Sequence, residues 1–190
     1  ILLNDFTDDE VYDLFSRVEG KETALSEKHD ISYLEYVNER VGDERFKKLL
    51  EFDVGERLKG SILTSYRGSI KEFQFLIQRL SSEELIEHLQ NNKNVSSYCD
   101  NLIVNMMASG NEEEFDVLTS KLESDGKADD IRTLMLDKDK DGRSGLSHAI
   151  ELGAHNSYRG LLESVLKFCT AEDLALELKS KNSKLADMIR

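Results

Sequence analysis

Residues 139–162 read DKDGRSGLSHAIELGAHNSYRGLL, and the spacing inside this stretch decides the fold class. Gly153 is followed by Tyr158 five residues on, by Leu161 eight on and by Val165 twelve on. The same offsets from Gly110 give Phe115, Leu118 and Leu122, and from Gly68 they give Phe73, Leu76 and Leu80. The three glycines stand 42 and 43 residues apart. A fixed period of that size marks a repeat architecture, in which each unit buries its apolar face on its neighbours.

Helical spacing fills the units. Phe73, Leu76, Ile77 and Leu80 share one face at i, i+3, i+4 and i+7, and Leu85 and Leu89 continue the pattern. Leu161, Leu162, Val165 and Leu166 read the same way, and we extend the apolar face to Leu174, Leu176 and Leu178. Period-two alternation of β-branched residues is nearly missing, so a sheet fold is not expected. Ser81-Ser82-Glu83-Glu84 and Thr170-Ala171-Glu172-Asp173 each set a hydroxyl ahead of acidic residues, which marks a helix start. Toward the N-terminus, Val11, Leu14, Phe15 and Val18 predict one amphipathic helix, and Tyr33, Leu34, Val37 and Val41 predict another. Phe46, Leu49, Leu50 and Phe52 are expected to pack beside them. The expected fold class is all-α.

The stretch 139–162 resembles an ankyrin repeat, whose core runs D-x-x-G-x-T-P-L-H-x-A into a glycine turn and a second helix ending in paired leucines. Asp139, Gly142, Leu146, Ala149, Gly153, Leu161 and Leu162 match that pattern. Ser144 stands at the capping threonine, Gly145 at the proline and Ser147 at the histidine, and the Ser144 hydroxyl can still cap a helix. The resemblance covers one unit well and the other two in degenerate form. Their spacing exceeds the roughly 33 residues of a standard repeat, which implies an added helix or a lengthened finger in each unit. Other helical-pair repeats also fit. The resemblance implies a helical-repeat solenoid of ankyrin-like helix pairs with N- and C-terminal helical caps. Residues 1–59 are read as the N-terminal cap or a divergent repeat, and residues 60–190 as repeats at about 60–100, 101–143 and 144–190. The segment from Leu174 to Ile189 is read as the opposite cap.

Composition removes several function classes. Of 190 residues, 25 are Lys or Arg and 38 are Asp or Glu, for a net charge of −13. Sequence-independent nucleic-acid binding needs clustered cations, and an anionic membrane surface needs the same, so neither partner is expected. The longest apolar runs, such as Leu102-Ile103-Val104, are far too short to span a bilayer. Two cysteines, Cys99 and Cys169, do not make a disulfide framework, and a cytoplasmic location is the expectation. The chain begins with Ile1, which we read as a piece of a longer protein.

Motifs that would carry chemistry are few. Asp137-Lys-Asp139-Lys-Asp141-Gly142 has the opening of a calcium loop, but its twelfth position is His148, where a bidentate glutamate is needed. A solvated turn is the better reading. His29, His88, His148 and His155 have no metal-ligand spacing, and no phosphate-binding glycine loop is present. Cys99 and Cys169 are read as structural thiols, and Met106 and Met107 as core residues. No catalytic residue, cofactor or metal is assigned.

The function expected is therefore protein–protein interaction through the concave face and inter-repeat fingers that the resemblance implies. The candidate partner-binding residues are Asn92, Lys93 and Asn94 in one finger and Lys138, Asp139, Lys140 and Asp141 in the next. Asn105, Ser147, His148 and Glu151 are added from inner helices. Glu112-Glu113-Glu114 is the acidic first turn of a helix, and it could steer toward a partner with a basic surface. Charge reversal at Lys138 and Lys140 is expected to weaken binding and leave stability nearly unchanged. The alternative is a substrate-recruiting or regulatory domain of a larger enzyme, such as a secreted bacterial effector acting in a host cytosol, a setting in which eroded ankyrin-like repeats are familiar.

Overall fold

Four helix starts in this chain are set by short hydroxyl–carboxylate pairs. Thr7 and Glu10, Ser69 and Glu72, Ser81 and Glu84, and Thr170 and Asp173 each close such a pair, the acid reaching back to the backbone N–H of the hydroxyl residue. Each satisfies a donor that the first turn would otherwise leave unpaired. The computed structural model describes residues 5–19, 22–23, 25, 30–53, 59–61, 63, 69–90, 101–153 and 158–179. The described residues form eleven helices and two small antiparallel strand pairs. The chain is all-helical in character, and it divides into two compact units, Ile1–Val95 and Ser96–Arg190.

In the N-terminal unit, α1 (Asp8–Ser16), α2 (Ile31–Val41) and α3 (Asp43–Leu49) pack on one another. Val11, Phe15, Leu34, Val37, Val41, Phe46 and Leu49 turn inward from them. Phe15 meets Tyr33 edge-on with ring centres 5.8 Å apart. Ion pairs from Arg40 to Asp8 (2.7 Å) and from Arg45 to Asp9 (2.6 Å) tie α1 to α2 and α3. Val18 does not extend α1: it lies in β1 (Val18–Glu19), paired with β2 (Glu22–Thr23). Phe52 lies in β3 (Glu51–Asp53), paired with β4 (Lys59–Ser61). Helices α4 (Ile70–Gln78) and α5 (Ser82–Gln90) complete the unit, with α4 against α2 and Phe75 edge-on to Phe46 at 6.0 Å. The boundary expected after residue 59 thus falls inside this unit.

The C-terminal unit holds two successive sets of three helices. The first is α6 (Leu102–Ser109), α7 (Glu112–Ser124) and α8 (Ala128–Leu136), and the second is α9 (Gly145–Gly153), α10 (Arg159–Leu166) and α11 (Ala171–Lys179). Corresponding helices meet: α6 packs on α9 and α7 on α10. Arg132 of α8 reaches Asp173 of α11 through two hydrogen bonds of 2.8 Å. In each set a third helix, α8 or α11, follows the first two.

Eight of the nine positions picked out by the period are core positions, and the ninth, Tyr158, is half-buried. Leu76, Leu118, Leu161, Leu122 and Val165 are fully buried, and Phe73, Leu80 and Phe115 nearly or wholly so. Met106 and Met107 are also buried, as expected of packing residues. Gly110 ends α6 at a φ of 73°. Tyr158 stands so close that a Cβ on Gly110 would lie 2.4 Å from its ring. Gly145 begins α9 where a Cβ would meet the Met135 carbonyl oxygen at 3.0 Å and the Met107 side chain at 3.1 Å. The close approach of α6 and α8 leaves little room for any side chain at this position. Gly68 lies outside the described residues.

Candidate functional site

The eight residues from Asp137 to Ser144 form a finger between α8 and α9. Lys138 and Ser144 pair across its base in an antiparallel bridge. The Asp139 N–H donates to the Arg143 carbonyl at 2.8 Å, and the Gly142 N–H to the Asp139 carbonyl at 3.0 Å. Asp139 is the hub. Its Oδ1 accepts from the N–H of Asp141 (2.9 Å) and of Arg143 (2.8 Å), and its Oδ2 lies 2.7 Å from His148 Nε2. Burial pushes this carboxyl up, but those hydrogen bonds outweigh it and hold it below its ordinary value. Ser144 then caps α9, its Oγ accepting from the Ser147 N–H at 3.0 Å.

A second carboxylate stands behind the finger. Glu177 of α11 is 4% exposed. It accepts from Ser144 Oγ at 2.5 Å, from Ser147 Oγ at 2.7 Å and from the Lys138 ammonium. Burial raises its pKa, and these three donors reverse the effect, leaving it lowered. Asp173, one turn earlier, is held far below the ordinary range by Arg132, with further help from Thr170.

The finger sorts the expected binding residues into base and tip. Lys140 and Asp141 are exposed at the tip. Asp139, Ser147 and His148 are buried, and their polar groups are engaged within the unit. Glu151 is half-buried and 3.4 Å from Arg143, and Asn105 is half-buried on α6. Asn92, Lys93 and Asn94 lie outside the described residues. Lys138 calls for a correction. Its ammonium pairs with a buried carboxylate, so reversing its charge leaves two negative groups together and unsettles the unit. Glu177, Asp173 and Arg132 were not among the expected residues. The signal for them is the i, i+4 spacing of Asp173 and Glu177, which puts both carboxylates on one helix face.

Other reactive groups are quiet. Burial, aided by the Asp173 charge, pushes the Cys169 thiol up to about 11, so it stays protonated at neutral pH. Cys99 lies outside the described residues. Of the calcium-like run, Asp137 accepts from Asn101 Nδ2 at 2.9 Å and Asp141 faces Arg143 at 3.4 Å. Among the described residues no cluster of three or more His, Cys, Asp or Glu side chains is placed to hold a metal ion. No helix among them is long and apolar enough to cross a membrane.

The lowered carboxylates fix a pH dependence. Asp139, Asp173 and Glu177 have folded pKa values below the ordinary 3.8, 3.8 and 4.5. Their contribution is complete above those values and is lost as pH falls through and below them. His88, buried beside Glu51, is held below its ordinary 6.5 chiefly by burial, so its contribution fades as pH falls below 6.5. Tm is therefore expected to decline gently from pH 7 to 5 and steeply below about 4.5. A Tm that holds level between pH 5 and 3 would contradict this.

Comparison of the chain with protein-family models, with curated proteins and with solved structures gives no match.

Proposed function

We propose that the chain is a protein-interaction module of ankyrin-like helical repeats, with the tip of the 137–144 finger as its principal contact. The single observation that carries the reading is the division of that finger. Its base is fixed by a buried carboxylate hub, while Lys140 and Asp141 at the tip are exposed. A loop held in one shape by its base needs little ordering on binding, which favours recognition by whatever its tip presents. The meeting of α6 with α9 and of α7 with α10 supports a stacked-repeat reading, in which fingers line one rim. Asn105 and Glu151 would extend the surface from the tip onto the helices. Tip charges then set orientation and association rate more than affinity.

The test is capture of partners on immobilised full chain, with a Lys140→Glu/Asp141→Lys variant as the matched control. The swap keeps net charge and leaves the hub intact. The expected result is a protein retained by the unaltered chain and depleted about tenfold or more by the variant, with Tm within about 2 °C. Equal retention of every captured protein by the two baits would refute the tip as the contact.

A further inference from the structure

Helix α11 is attached to its unit by carboxylates where its counterpart is attached by an apolar face. Helix α8 buries Ile131, Leu134 and Met135. The matching positions of α11 are Leu174, Glu177 and Leu178, and of these only Glu177 is buried. Leu178 is exposed, and Leu176 is 64% exposed. Among the described residues, the polar contacts that hold α11 are Arg132 on Asp173 and the three donors on Glu177. Those three donors belong to the finger and to α9, where the Lys138–Ser144 bridge and the Ser144 cap already fix them.

We propose that Lys138, Ser144 and Ser147 form a carboxylate-binding pocket that Glu177 fills in cis, making α11 a latch that opens while α6 to α10 remain folded. Leu174 is only half-buried, and a carboxylate in water recovers the hydrogen bonds it gives up, so both favour opening. It leaves one ammonium and two hydroxyls facing outward. That set suits a carboxylate from another molecule, which must displace α11 to reach it. The proposal does not depend on the interaction reading, because α11 can be followed with no partner present.

The experiment is native-state hydrogen exchange on the full chain. In the unaltered protein, α11 amides are expected to exchange through an opening that spares α6 and α9. Glu177→Gln should speed α11 exchange about 10- to 100-fold and leave α6 within about twofold. Asp173→Asn, which weakens the other clasp, should do the same. Exchange of α11 in step with α6 and α9 in all three proteins would overturn the latch. The pocket is read separately in Glu177→Ala, where acetate is expected to raise Tm by about 2–4 °C over chloride at equal ionic strength. Acetate should leave the unaltered chain unmoved. Acetate and chloride acting alike on Glu177→Ala would overturn the pocket.

Discussion

Asp139→Ala is expected to destabilise the C-terminal unit by about 2–4 kcal/mol. The carboxylate accepts two backbone N–H groups and faces His148, so its removal takes the acceptor from all three at once. Hydrogen bonds to a charged group contribute about 1.5–3 kcal/mol each, and the finger amides can recover part of this from water. His148, buried at the start of α9, cannot. Asp139→Asn keeps one acceptor oxygen and should fall between alanine and the unaltered protein. Chemical denaturation measures the effect. An alanine variant within about 0.5 kcal/mol of the unaltered chain would show that the finger does not depend on this hub.

The second large effect is expected at Gly110. Alanine there must hold a left-handed conformation at φ 73°, a strain of about 1–2 kcal/mol, and its Cβ must displace a ring 2.4 Å away. Together these predict a loss of about 2–4 kcal/mol. Gly126 separates the two causes. Its φ is 75°, but nothing lies within 4 Å of an added Cβ, so Gly126→Ala should lose only the strain. In a Tyr158→Ala background, Gly110→Ala should likewise fall back to the strain alone. Equal losses at Gly110 and Gly126, with no dependence on Tyr158, would remove the ring contact from the explanation.

How much of this was legible follows from which forces act over short sequence distances. Leu76, Leu118 and Leu161 could be found because helical burial repeats every three to four residues and the repeat itself returns after 42 and 43. The finger was legible because an aspartate bonding amides two and four residues on leaves a local pattern. Helix α8 was not singled out, although Ile131, Leu134 and Met135 at i, i+3 and i+4 mark its buried face. The β1–β2 and β3–β4 pairs are two and three residues long, too short to display alternation, so Val18 and Phe52 were assigned to helical packing.

The largest misreading is α11. Leu174, Leu176 and Leu178 are spaced by two, which no single helix face permits, and three leucines outweighed the two acids between and beside them. In the fold the acids win. Asp173 and Glu177 turn inward because Arg132, Lys138, Ser144 and Ser147, some 30 to 41 residues away in sequence, supply donors there. Inspection of the helix alone could not have revealed donors that distant. The same placement changes the use of Lys138, from a free tip charge to part of the base.

Separation of finger base from finger tip is the claim on which the functional account rests. Its most direct test reads Tm and partner retention on the same preparations of the unaltered chain, Asp139→Ala and Lys140→Glu/Asp141→Lys. The hub variant is expected to lose both stability and binding, while the tip variant loses binding at an unchanged Tm. A tip variant that binds as well as the unaltered chain, or one that unfolds along with the hub variant, would contradict it.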